Sequence, residues 1–361
     1  MRHERRGGVI RAAWAARAAV ACAVAVLFGC DLRPSVTVYA SADESVARPV
    51  FERFERETGI RVDAKFDTEA TKTTGLANAL RAERERPRAD VFWSNEMAAN
   101  VALAAEGVTQ PLPESALPRA VTEGHPAAWR AADGAWLALA GRARVLVYVP
   151  GRVEPPAPTW TALLATRWKG RIAMADPRFG TTRGHFGAMK AYWDANALPG
   201  YFEAFAEGLA ENRPIILTSG NAGVVDAVAR GEADVGLTDT DDVIAAQARG
   251  LKVDMVFPRH AHDAAREGGG TYVIANTVAA VAGCPHPAQA AAFIRWFASE
   301  GVERQLAEMP ARHAPLAWPA REGDLSVTDP LRVDPAAAAA ASDAAVEAFL
   351  GFVRESGKGD G

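Results

Sequence analysis

From Val36 onward, short β-rich runs alternate with longer helix-patterned stretches, and this alternation restricts the chain to one broad architecture. Val36-Thr37-Val38-Tyr39 is the first such run. It gives way to a stretch in which Val46, Val50, Phe51 and Phe54 recur at three- and four-residue spacing, the pattern of a helix with one apolar face. Gly59 is placed to cap that helix, and Ile60 to Ala64 resumes the strand alternation. Thr71 to Arg86 reads as a second helix and Ala89 to Trp93 as a buried strand. A β-α-β-α-β order predicts a mostly parallel sheet with helices on both faces, an α/β fold.

The run Trp136 to Val149 is too long for an ordinary strand and reads as a crossover between two halves. After the proline-rich turn from Pro150 to Pro158 a second α/β unit follows. Its strands are expected at Ile172 to Ala175, Pro214 to Leu217 and Ala233 to Thr238, and its helices at Gly184 to Trp193 and Ala222 to Arg230. A return crossover is expected near Val253 to Pro258. Pro287 to Ala298 reads as a helix, and so does the alanine-rich stretch from Pro335 to Glu355. Alanine is the best helix former, and Val346, Phe349, Leu350 and Val353 supply a packing face.

The first residues carry a different signal. Arg2, Arg5, Arg6, Arg11 and Arg17 precede the apolar run Ala18 to Phe28, which meets Gly29-Cys30. A cationic segment, a short apolar stretch and a small residue together read as an export signal. The run is shorter than the roughly 20 residues a membrane span needs, and no second stretch suggests a span. Cys22 and Cys30 fall in this region, so a processed chain keeps only Cys284, which excludes an internal disulfide and a cysteine-pair metal site. Cys284 stands beside Gly283 and Pro285 and reads as a buried or turn residue. A formal charge of -4 with dispersed Lys and Arg argues against nucleic-acid binding.

Several stretches together resemble the type II periplasmic solute-binding proteins of ABC transporters, especially their ferric-ion-binding branch. They are VTVYASADESVARPVFERFERETGIRV (36–62), RADVFWSNE (88–96), ALAGRARVLVY (138–148), WKGRIAMADPRFGTTRGHFGAM (168–189) and NAGVVDAVARGEADVGLTDTDD (221–242). The resemblance implies two α/β lobes joined by hinge strands, with a ligand held in the cleft between them. One lobe is expected from 36–142 and 258–318, the other from 143–257 and 319–361. Residues 1–29 would be a lipoprotein signal peptide and 30–35 the anchor, because Leu27-Phe28-Gly29-Cys30 resembles a lipobox with Cys30 as the lipidated residue. Asp31 resembles the retention signal that keeps such proteins at the periplasmic face of the inner membrane. The expected partners are an ABC permease and a small ligand, the expected form is a monomer, and the only membrane contact is the lipid.

Open parallel sheets bind ligands beyond the carboxyl ends of their strands. The loops there offer Asp43, Asn95, Glu96, the segment Thr181-Thr182-Arg183-Gly184, Asn221 and the turn Asp239, Asp241, Asp242. The segment 179–185 joins a strand to a helix, where free N–H groups and the helix dipole favour an anion; Thr181 or Thr182 can equally cap that helix, and Asn221 can cap the next. The resemblance assigns both places to an anion. It also assigns paired tyrosines to the 239–242 turn and a histidine after the first strand; this chain has aspartates in the turn and Asp43 near the histidine position. Clustered carboxylates call for a cation, so Glu96, Asp239 and Asp241 are candidate metal ligands, and some of these aspartates can simply cap a helix.

No cofactor is expected, and no G-x-S-x-G or H-E-x-x-H motif points to an enzyme. Two occupants of the cleft fit this pattern: ferric iron with a companion anion, transported as cargo, or a zwitterion such as an aminoalkylphosphonate. A sensory binding lipoprotein is the alternative to an import receptor. Trp93, Trp160, Trp168 and Trp193 read as core, and His260 and His262 as surface residues.

Overall fold

The computed structural model describes residues 33–67, 74–112, 117, 125, 127–196, 199–261 and 265–357. The export segment with Cys30, and His262, lie outside them.

The first half follows the expected alternation. Strand β1 (Ser35–Ala40) leads to helix α1 (Glu44–Thr58), whose buried Ala47, Val50, Phe51 and Phe54 form its inner stripe. Gly59 ends α1 in the left-handed conformation, with its N–H donating to the Glu55 carbonyl. Strand β2 (Arg61–Phe66), helix α2 (Thr74–Ala82), strand β3 (Val91–Ser94), helix α3 (Met97–Ala105) and the short β4 (Thr109–Gln110) follow. β1 pairs in parallel with β2 and with β3. Phe51 meets Trp93 edge-on at 5.6 Å, and Trp93 meets Phe297 at 4.8 Å.

Strand β5 (Leu137–Tyr148) is buried along its whole length. The second half adds β6 (Ile172–Ala175), α4 (Gly180–Ala195), α5 (Tyr201–Glu211), β7 (Ile215–Leu217), α6 (Gly220–Arg230), β8 (Val235–Asp239), α7 (Thr240–Ala248) and β9 (Asp254–Val256). β6 pairs in parallel with β7 and β8. The chain then forms β10 (Val273–Val281), α8 (Pro287–Phe297), α9 (Glu300–Glu308) and α10 (Pro335–Ser356).

The strands make one sheet in the order β2-β1-β3-β10-β5-β8-β6-β7, with β4 on β10 and β9 on β5. Two parallel triads are therefore joined by antiparallel strands. β5 changes partner midway: Leu137 to Ala143 pairs with β10, and Arg144 to Tyr148 pairs with β8, which sets Arg144 directly opposite Asp239. The return strand lies later than the sequence suggested. β9 touches only the second half of β5, whereas β10 runs between β5 and β3.

Ser35–Gly361 packs as one unit. The alanine-rich tail is a single helix, and it is long and apolar enough to cross a membrane by length and composition. Yet its inner face is occupied within the fold. Phe349 is buried and meets Phe186 of α4 edge-on at 5.3 Å. At the closest approach of α10 to α4, a Cβ added to Gly187 would lie 2.3 Å from the Ala338 carbonyl and 2.3 Å from the Ser342 hydroxyl, so only glycine fits.

The four tryptophans expected in the core are buried. Cys284 is buried as well, and burial pushes its thiol pKa up, which disfavours the thiolate. His260 corrects the sequence reading, for it is 2% exposed. Its Nδ1 donates to the Gly270 carbonyl at 2.7 Å, so its Nε2 accepts from His185 Nε2 at 2.9 Å. Burial among Trp160, Trp193 and Tyr192 lowers its pKa to about 4, and burial lowers that of His185 well below the usual value. A histidine isolated between a proline and a glycine-rich loop gave no periodic sign of this packing.

Candidate functional site

A cavity of about 490 Å³ opens where the carboxyl ends of the two triads face each other. Asp43 and Asn95 line it from one side. Arg142, Asn276 and His313 line it from the joining strands and the segment after α9. Asp176, Phe179, Thr181, Thr182, Ser219, Asn221, Asp239, Asp241 and Asp242 line it from the other side.

One wall is backed by a buried ion network that the sequence reading missed. Arg144, 0% exposed, donates through Nη1 to Asp239 Oδ1 at 2.8 Å and to Asn221 Oδ1 at 3.1 Å, and through Nη2 to the Thr182 hydroxyl at 2.8 Å. The Thr181 hydroxyl and Asn221 Nδ2 donate to the other Asp239 oxygen at 2.9 and 2.8 Å. Arg142 points along the same face of β5, donating to the Asn95 carbonyl at 3.1 Å and lying 3.3 Å from Asp241 and 3.6 Å from Asp239. The signal was present: two arginines at alternate positions in an otherwise apolar buried strand have to be paired or functional.

Thr181 and Thr182 cap nothing. α4 begins at Gly180, earlier than expected, and both threonines sit in its first turn with their hydroxyls turned to the network. Asn221 likewise lies inside α6, behind Ser219. Among the described residues no side chain caps α4 or α6, and both open with a glycine in the left-handed conformation at the cavity wall, Gly180 at φ 54° and Gly220 at φ 71°. Their first-turn N–H groups and positive dipole ends thus converge on the cavity.

Three expected site residues stand outside the lining. Glu96 spends its carboxylate on capping α3, accepting from Ala98 and Ala99 N–H at 2.8 and 2.9 Å; burial raises its pKa. Arg183 turns away to pair with Asp343 of α10 at 2.6 Å. Gly184 follows it, facing Glu96 and Tyr272. Among the described residues, the carboxylates able to share one metal ion are Asp239, Asp241 and Asp242, with candidate ligand atoms within 4.8 Å of one another. Glu96, expected as a ligand, is not in this group, and both its oxygens accept N–H groups of α3. Asp241 Oδ1 is shielded from solvent without a hydrogen-bond partner. Burial, reinforced by Asp239 and Asp43 against the pull of Arg142, pushes the Asp241 pKa up to about 6. Among the described residues, no tyrosine lines the cavity.

Two parallel triads bridged by long crossover strands, with a polar cavity between them, define a type II periplasmic-binding-protein fold. The chain belongs to the bacterial extracellular solute-binding protein family, which matches residues 38–304. It is similar to iron uptake protein A1 of Synechocystis sp., with 26% identity over 292 residues, covering 78% of this chain and 76% of that protein. Among solved structures it resembles iron-bound HitA from Pseudomonas aeruginosa, with TM-score 0.71, 21% identity, and coverage of 90% of this chain and 99% of that one. It also resembles AfuA from Actinobacillus pleuropneumoniae with exogenous fructose-6-phosphate bound, with TM-score 0.71, 16% identity, and coverage of 89% and 98%.

Proposed function

We propose that the chain is the receptor subunit of an ABC import system and carries its ligand in the cavity around Arg142 and Asp241. The ligand's anionic part lies at the uncapped starts of α4 and α6, and its cationic part lies against Asp241, Asp242 and Asp43. The observation that carries this reading is the juxtaposition of two open helix starts with the unpartnered, buried Asp241 Oδ1 in one cavity. The two lobes are taken to pivot about β5 and β10, since β5 exchanges partners between Ala143 and Arg144. Lipid anchoring through Cys30 at the periplasmic face of the inner membrane, and docking to a permease, complete the proposal.

An organic zwitterion, such as an aminoalkylphosphonate, fits the geometry best. The cavity volume falls in the range of small-molecule sites. Ferric iron with a companion anion is the second reading. It is supported by the Asp239, Asp241, Asp242 cluster and by the names of iron uptake protein A1 and iron-bound HitA. A thermal-shift panel separates them. Ligand at about 100 times its Kd stabilises the folded state by about 2.7 kcal/mol. 2-Aminoethylphosphonate or fructose 6-phosphate raising the midpoint supports an organic solute, and ferric citrate alone raising it supports iron. No response to any of these probes refutes both.

A further inference from the structure

His313 lines the cavity and is 3% exposed, and nothing in the sequence pattern pointed to it. Its Nδ1 lies 3.0 Å from Asn276 Nδ2. The orientation of that amide is dictated by two partners with no choice of role. Trp93 Nε1, which can only donate, lies 3.3 Å from Asn276 Oδ1, and the Ala140 carbonyl, which can only accept, lies 3.1 Å from Nδ2. The amide must therefore offer a hydrogen to His313, so Nδ1 accepts and the ring proton sits on Nε2. Trp93 and Asn276 are both fully buried, so water cannot stand in for either bond. Burial and the neighbouring Arg142 keep the ring neutral, against the weaker pull of Asp43.

We propose that His313 is a specificity-determining donor, offering Nε2–H to an oxyanion of an organic solute and thereby excluded from coordinating a metal ion. Coordination through Nε2 would require the proton on Nδ1, where it would face the Asn276 N–H. Turning the amide over would set its oxygen against the Ala140 carbonyl and its NH₂ against the Trp93 indole N–H. The tautomer is thus set three residues away from the solute, by a relay running Trp93 to Asn276 to His313. Arg142, the stronger of the two charges acting on the ring, favours an anionic acceptor there, and Asp43 opposes it. This inference rests on the cavity being the solute site and narrows the solute to a phosphonate, phosphate or carboxylate.

Histidine-selective ¹⁵N NMR of the full protein at pH 7 tests the relay, with the His313 signals assigned by their loss in His313→Gln. The expected result is a neutral ring protonated on Nε2. Asn276→Asp, which replaces the donor by an acceptor, should move the proton to Nδ1 or leave the ring doubly protonated. Calorimetry with 2-aminoethylphosphonate, fructose 6-phosphate, citrate and ferric nitrilotriacetate tests the contact. Affinity for the bound oxyanion should fall about 10-fold or more in His313→Ala, as expected for loss of a hydrogen bond to a charged group, and His313→Gln, which restores an N–H donor, should recover part of it. A wild-type ring protonated on Nδ1, an unchanged affinity in His313→Ala, or a ferric probe that coordinates the His313 ring overturns the inference. If none of the four probes binds the wild-type protein, the solute reading fails and takes the donor role with it. Binding that His313→Ala leaves intact defeats the donor role alone.

Discussion

Replacing Arg144 by methionine keeps an unbranched apolar stem and removes the guanidinium with its charge and hydrogen bonds. Asp239, 1% exposed, then loses its closest cation. Removing one partner of a buried, hydrogen-bonded ion pair costs about 3–5 kcal/mol. Three groups soften the loss here: the Thr181 hydroxyl at 2.9 Å, Asn221 Nδ2 at 2.8 Å and Arg142 at 3.6 Å. The lower end of the range, about 3 kcal/mol, is therefore expected. At about 2 °C per kcal/mol for a chain of this size, the calorimetric midpoint should fall by roughly 6 °C. Arg144→Met combined with Asp239→Asn should recover part of this, with a coupling of about 2 kcal/mol, because the uncompensated charge is gone. Added salt should change the loss little, since a buried pair is poorly screened. A midpoint within 2 °C of wild type, or strictly additive single effects, would show that the pair does not hold the cavity wall together.

Gly187→Ala should destabilise the protein by about 2 kcal/mol or more in urea titrations, because the added methyl meets the Ala338 carbonyl rather than a movable side chain. His185, His260 and His313 are held neutral by burial with lowered pKa values, so between the ordinary histidine pKa and the folded values the unfolded chain binds more protons. Their stabilisation is full at neutral pH and lost as pH falls through this window, at up to about 1.4 kcal/mol per pH unit per histidine; a flat urea midpoint from pH 6.5 to 4.5 would contradict it. Phe179→Ala, at a side chain 39% exposed on the cavity wall, should leave stability within about 0.5 kcal/mol while weakening solute binding in calorimetry.

The parallel triads were legible because each strand ends in a loop and each helix carries a periodic apolar stripe, as α1 does at Ala47, Val50, Phe51 and Phe54. β10 was not legible. Its Val, Ala, Asn and Thr residues are buried without alternation, and a strand covered on both faces shows no period. The acidic segment Asp239 to Asp242 was found from its place at the end of a strand and from the family resemblance. What a linear reading could not supply was which donors reach each carboxylate: Arg144 lies 95 positions before Asp239. The same limit hid Glu96, whose carboxylate reads as a cleft group in sequence but serves the N–H groups two and three positions ahead. His313 became visible only through Asn276, a partner fixed by a tryptophan 183 positions earlier.

The first two turns of α7 alternate two kinds of position. Thr240, Val243 and Ala246 are buried, and the Thr240 hydroxyl receives the Ala143 N–H at 3.1 Å, tying the helix to β5. Asp241 and Asp242, between those anchors, look into the cavity. The chemistry offered to a ligand can therefore be rewritten at these two positions while the anchors that secure the helix stay as they are. Asp241 lies 3.3 Å from the buried Arg142, so a change there also alters the pairing of that arginine.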